Sequence, residues 1–319
     1  MAKRSAQVFT EVAQEHLRRL NRVAERGSAA RLHKLYQQSL DEMERRSRTL
    51  LRGRDKDTFT AHHRRIVLAQ LRDRVRELVP RLSGALVDHA HEAQVEGRSS
   101  TLQNIAKLEE RYSGTTPVLP VEEAARFVGI GAPTRSLLRN AKGHGVLPDR
   151  IQTSMARYGA RLITQFEQEL AKSILQGETV LETTERIRIR GDLEWWQAER
   201  IARTETAWAY NGATYDAVRD ASTELDDMMM RWNEHVDDAT GQPFDDRVAP
   251  DSMAMHGQVA RPGEAFVMPT DERVASERWG LHYEFPPNRP NDRAAVMPWR
   301  PHWGIPGWKW NGSMRVPVT

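Results

Sequence analysis

Apolar residues recur every three or four positions through most of the first two thirds of the chain. Phe9, Val12, His16, Leu20 and Val23 form one stripe, and Leu32, Tyr36, Leu40, Met43 and Leu50 a second. Val67, Leu71, Val75, Leu78, Leu82 and Leu86 form a third. This spacing predicts amphipathic helices, and each stripe needs a partner helix or a neighbouring subunit to cover it. Pro80 is predicted to kink or split the third helix. Ile151, Met155, Tyr158, Leu162, Phe166, Leu170 and Ile174 predict a fourth, with Gly177 as its stop. A short helix near 179–189 follows, and Asp192 is placed to cap the next helix, which carries Arg200 to Asp220.

Between these blocks, residues 113–148 are interrupted by "SGTTPVLP", "GIGAP" and "GHGVLP", and predict short helices and turns at a domain border. After Asp220 the period changes. "MMMRWNEHV" alternates as a strand does, "DDATGQPFDD" is a turn, and "HGQVARPGEAFVMP" predicts two short extended pieces around Pro262-Gly263. The tail from Phe285 is rich in Pro and Trp, and its prolines disfavour helix and central strand alike. The predicted class is α+β: a mostly helical first two thirds, then a compact α+β domain with a small antiparallel sheet. The predicted order is a helical region over 1–112, a linker over 113–148, and the α+β domain with its tail over 149–319.

The helix "RIARTETAWAYNGATYDAVRD" contains an anomaly. On a helical wheel Ile201, Trp208, Gly212 and Tyr215 share one arc, which suits core packing. Ala202, Thr206, Ala209 and Ala213 share the next, and their small side chains admit a close backbone. Glu205 falls between them, on the buried side. A buried carboxylate must be paired or hydrogen-bonded, and Arg203 lies nearly opposite. The expected partners are Arg293 and then Arg231, whose forked guanidinium would lock helix to sheet. No second catalytic group stands at a recognisable spacing from Glu205, so it is assigned to the scaffold.

The order of elements carries a resemblance. "ERIARTETAWAYNGATYDAVRD", a strand bearing Trp232, an Asp-rich turn with Asp237, "HGQV" with Gly257, and "PPNRPNDR" with Asn291 and Arg293 resemble the head-morphogenesis, or minor head protein, family of tailed phages, whose namesake is the F protein of phage Mu. The resemblance covers roughly 165–300, with Arg203-Thr204-Glu205-Thr206 at its centre. The family's cysteines are missing; Asp292 stands where the first closing cysteine would be, so a thiolate zinc site cannot operate. The resemblance implies a minor head protein and no enzyme. Its expected partners are the portal and major capsid proteins, with non-specific double-stranded DNA as a further contact. Its expected location is the head interior or portal vertex, after synthesis in the host cytoplasm.

Composition refines this. Residues 1–100 carry a formal +8, residues 101–220 balance, and residues 221–319 carry −5. Arg64, Arg65, Arg72, Arg74 and Arg76 on the third stripe are therefore the candidate phosphate contacts, salt-sensitive and sequence-independent. Trp299, Trp303, Trp308 and Trp310 in the stiff tail are candidates for docking a partner groove, and Trp195 and Trp196 read as core anchors. With no cysteine in the chain, disulfides and thiol chemistry are excluded. No run approaches about 20 apolar residues, and the N-terminus lacks the apolar core of a secretory signal.

Other chemistry is thin. His89 and His91 point to different faces and, like the adjacent His62 and His63, read as surface residues. Asp237, Asp238, Asp245 and Asp246 lack calcium-loop spacing. No phosphate loop or serine elbow is present, and no metal or cofactor is predicted. The enzymatic alternatives are a metal-dependent nuclease using the Asp turn, or a module like the ADP-ribosyltransferases.

Overall fold

The computed structural model describes residues 2–113, 146–236, 242–244, 248–270, 280–290 and 292–318. Its helices are α1 (Ala2–Asn21), α2 (Ser28–Leu50), α3 (Ala61–Ser113), α4 (Val146–Gln176), α5 (Val180–Ala221) and the one-turn α6 (Pro250–Met253). Its strands are β1 (Met229–Asn233), β2 (Val259–Ala260), β3 (Phe266–Val267), β4 (His282–Tyr283), β5 (Ala295–Trp299), β6 (Gly307–Trp310) and β7 (Arg315–Val318). The chain is α+β: helical first, then small antiparallel sheets. No helix among the described residues is long and apolar enough to cross a membrane.

The chain packs as two units that cut across the sequence ranges expected above: 26–89 with 145–203, and 1–25 with 90–144 and 204–319. In the first of these, α2, α3 and α4 bury Tyr36, Leu40, Leu71, Val75, Leu82, Met155, Leu162 and Phe166, as the stripes predict. Gly159 lets α3 and α4 approach closely, since a Cβ there would lie 2.5 Å from a Val79 methyl carbon. Leu50 departs from its stripe: it is 51 % exposed, and Leu51 takes the buried place one residue on. α3 is not split at Pro80, which sits on an exposed face inside the helix.

The helix boundary expected near Asp192 does not exist. α5 is continuous and starts from a capping box, in which the Thr179 amide donates to Glu182 Oε2 at 2.8 Å and the Glu182 amide to Thr179 Oγ1 at 3.3 Å. Gly191, which resembles a stop in the sequence, is a packing glycine. A Cβ there would lie 2.6 Å from a Leu40 methyl, and the Gly191 carbonyl accepts the Tyr36 hydroxyl at 2.7 Å. Asp192 therefore caps nothing; it accepts from Gln37 at 3.1 Å. The predicted stop at Gly177 is present, with φ at +67°.

In the other unit, β1 is the centre of a three-stranded antiparallel sheet in the order β2-β1-β5, with Trp232 opposite Val296. Pro298 lies in β5, an edge strand, where a missing N–H is tolerated. The two extended pieces around Pro262-Gly263 join different sheets: β2 pairs with β1, and β3 with β4. Phe9, Val12, Ile105, Leu108 and Val218 from the helices meet Trp232, Phe266, Trp299 and Trp303 in one apolar core.

Candidate functional site

The motif-bearing end of α5 is fastened on two sides. Toward α3, Gly97 permits the closest approach: a Cβ there would stand 2.5 Å from the Tyr210 carbonyl oxygen. Beside that contact, Thr101 Oγ1 donates to Thr214 Oγ1 at 3.0 Å. Toward the sheet, the buried Asn211 amide donates to the Ala294 carbonyl at 3.1 Å and accepts the Val296 amide at 3.0 Å. Asn211 thus supplies a helix-to-strand link six residues beyond Glu205. It was visible only as part of a small, Asn-bearing turn of helix.

Glu205 is buried at 4 % exposure, where the wheel places it, and neither it nor Arg293 stands without a partner. Thr204 and Arg203 flank it half-buried, and Arg203 pairs with Glu199 at 2.7 Å. The small arc, Ala202, Thr206, Ala209 and Ala213, is the deeper one. The aromatic arc is only half-buried at Trp208 and Tyr215, which pack on Phe285 at 5.5 and 5.7 Å between ring centres.

His16 sits in the same fastening. Its Nδ1 lies 3.1 Å from Asn104 Nδ2, 3.2 Å from Ser100 Oγ and 3.3 Å from the Tyr210 hydroxyl. An amide nitrogen can only donate, so Nδ1 accepts and the imidazole is neutral. Burial first, and the charge of Arg19 second, hold its pKa down to about 3.

Beneath β1 lies a polar cluster. Trp232 Nε1 donates to Glu234 Oε1 at 2.9 Å, and the Glu234 amide donates to His256 Nδ1 at 3.2 Å. Glu234 is buried; burial, and then the charge of Asp292, push its carboxyl above the usual range, against the pull of Arg289 and Arg293. Asp292 accepts the Asn288 amide at 2.9 Å and the Ala294 amide at 3.1 Å, closing the loop before β5. Asp251 takes Arg289 at 2.8 Å. Arg231 reaches Asn233, the Pro306 carbonyl at 3.3 Å and the Phe9 ring at 5.6 Å. Gly257, at φ +82°, is required: a Cβ there would approach Trp308 Nε1 at 3.1 Å. Asp237 and Asn291, with Asp238, Asp245 and Asp246, lie outside the described residues.

One constellation was beyond the reach of the sequence because its members are far apart in the chain. Ser113 Oγ lies 3.1 Å from His302 Nε2, and His302 Nδ1 lies 3.5 Å from Asp227 Oδ2. The order matches a nucleophile, base and acid, but the proton runs the wrong way. Ser113 donates to Glu109 Oε2 at 2.7 Å, so in this arrangement its proton is directed to a carboxylate and away from His302 Nε2. Glu109 is the hub. It also accepts Trp303 Nε1 at 2.9 Å and Arg300 at 2.7 Å. Burial alone would raise its pKa, but the Ser113, Arg300 and Trp303 hydrogen bonds hold it below the ordinary value. The arrangement anchors a tryptophan.

That anchoring corrects the tail assignment. Trp299 and Trp303 are fully buried in their own unit and cannot dock a partner. Trp308 and Trp310 are half-buried; Trp308 donates to the His256 carbonyl at 2.9 Å, beneath Arg315 at 4.6 Å. The apolar payload of these rings finds a core within the chain, and the prolines bend the backbone back to reach it.

Among the phosphate candidates, Arg72 pairs with Glu167, Arg74 with Glu42 at 3.1 Å and Glu77 at 2.6 Å, and Arg76 with Asp73 at 3.0 Å. Their field is largely matched by carboxylates. Arg65 is exposed and Arg64 half-buried. His63 and His89 are buried, correcting their assignment to the surface. Trp195 packs with its ring tilted against Tyr36 at 5.3 Å, while Trp196 is 49 % exposed and no core anchor.

Comparison with known proteins finds one family. Residues 164–297 match the family described as Phage Mu protein F like protein, a span running from within α4 into β5. No curated protein and no solved structure matches the chain.

Proposed function

Because the chain is Phage Mu F-like over residues 164–297, we propose that it is a head-morphogenesis protein of a tailed phage. It is a minor head component that acts by binding the portal and major capsid proteins, at the portal vertex or on the inner wall of the head. The family match carries the reading. The polar groups of the matched span support it, because they are spent on internal fastening: Asn211 on β5, Glu234 on Trp232, and Asp292 on its own loop. A site built for turnover keeps such groups turned toward a substrate. Contact with packaged DNA is the secondary element of the proposal, since Arg72, Arg74 and Arg76 already hold carboxylates.

The test is direct. Heads purified from the producing phage should contain the chain, and the tagged chain should capture portal or major capsid protein from infected cells. Heads that assemble normally, package DNA and lack the chain would overturn the proposal. Incubation with plasmid DNA and Mg²⁺ separates the nuclease alternative: a salt-sensitive gel shift without cleavage fits a binder, and metal-dependent cleavage does not.

A further inference from the structure

The outward face of α5 carries apolar residues that none of the described residues cover. Ile189 is 60 % exposed, Leu193 58 % and Trp196 49 %. The same stretch seats its opposite face in its own unit through Val180, Ile187, Gly191 and Ala198. Polar contacts border the exposed row on both sides. Arg188 reaches Asp41 and Gln37 on α2, and Arg161 and Arg190 engage Glu194, with Arg190 also on Gln165 of α4. An apolar strip inside a polar rim has the anatomy of an interface.

The row has a second property. Glu182, Ile189, Leu193 and Arg200 follow one another at intervals of seven, four and seven residues. On a helix of 3.6 residues per turn, Glu182 and Arg200 are five turns apart and share one angle, with Ile189 and Leu193 about 20° to either side. The spacing is symmetrical about residue 191, while the charges at its ends are opposite. A two-fold axis through that midpoint pairs the helix with an antiparallel copy of itself. It sets Ile189 against Leu193 twice and Glu182 against Arg200 twice, the self-complementarity that a two-fold interface demands. A groove of about 400 Å³ beside the row sets Glu169, Glu178, Glu182 and Glu185 against Arg186 and Arg190, a net acidic wall for the second copy's Arg200 to approach. Arg200 lies 4.9 Å over the Trp196 ring, so its charge stays on this face.

The geometry points to a homodimer formed by antiparallel pairing of α5 across this row, the occupant being a second copy of the chain. All of these residues lie in one unit, and the pairing stands whether or not the proposed role in phage heads holds. Sedimentation velocity of the full chain over a concentration series tests it. The wild type should associate to a dimer. Ile189→Asp, on an exposed position, should keep the fold by circular dichroism and weaken association about tenfold or more. Arg200→Glu should also weaken it, because it sets carboxylates of the two copies against each other across the axis. A wild type that stays monomeric at every concentration would overturn the inference, as would a dimer indifferent to Ile189→Asp. An Arg200→Glu variant that associates as tightly as the wild type, with helicity intact, would overturn it as well.

Discussion

His16 gives the sharpest test of how the motif-bearing helix is held. In the folded chain its imidazole is neutral, buried and accepting at Nδ1, with its pKa pushed from 6.5 down to about 3. Unfolding frees it to bind a proton as any exposed histidine does. The contribution to stability is therefore complete above pH 6.5 and fades as pH falls toward 3. At pH 4.5 the unfolded chain has gained two pH units of protonation that the folded chain has refused. At ~1.36 kcal/mol per unit, that is a loss of about 2–3 kcal/mol relative to pH 7. His16→Gln keeps an acceptor for Asn104 but cannot titrate. The variant should be less stable than the wild type at pH 7, because it loses the contact with the Tyr210 ring at 5.1 Å. By pH 4.5 that deficit should shrink by about 2–3 kcal/mol. Urea unfolding of both proteins at pH 7, 5.5 and 4.5 measures this, and every other carboxylate and histidine cancels in the difference. Parallel stability profiles, or a His16 ring that titrates near 6.5 by NMR, would refute the reasoning.

Three further substitutions probe the same framework. Asn211→Ala strips a buried bridge and leaves the Val296 amide without its acceptor; it should cost about 2–3 kcal/mol in urea unfolding. Gly84→Ala and Gly97→Ala should have opposite signs although both lie within α3. Gly84 has open space and should gain up to about 1 kcal/mol, whereas Gly97 meets the Tyr210 backbone and should lose about 1–3 kcal/mol, read as melting shifts in opposite directions. Glu234→Gln keeps the acceptor for Trp232 but removes a carboxyl whose pKa is raised by burial and Asp292. A raised carboxyl favours the fold below its unfolded pKa and loses that favour as pH climbs through its folded value. The variant should therefore gain on the wild type from pH 5 to pH 9; a gap that is constant over that range would contradict the assignment.

Periodicity disclosed the helices because apolar stripes report burial one residue at a time. It failed where one residue type serves two purposes. Gly191 has the look of a helix stop, yet its role is to admit Leu40, a fact held by another helix. Trp196 has the look of a core residue and faces outward, since a wheel does not say which of two apolar faces finds a partner. The strand of Trp232 was legible from alternation, whereas Gly257 was singled out only through the family resemblance. Glu205 was correctly placed on the buried side; the bridge made by Asn211, six residues on, escaped notice because its carbonyl and amide partners lie 83 and 85 residues away. No local pattern encodes such a pairing. A longer separation, 194 residues, hid Glu109 under Trp303, and so made the tail look free for a partner.

At the loop before β5, a carboxylate stands where a thiol could have, and the chemistry of the latch changes with it. The two Asp292 oxygens grip two main-chain amides, so neither a chelator nor a reducing agent has anything to remove. The same closure survives passage from a reducing cell to air unchanged.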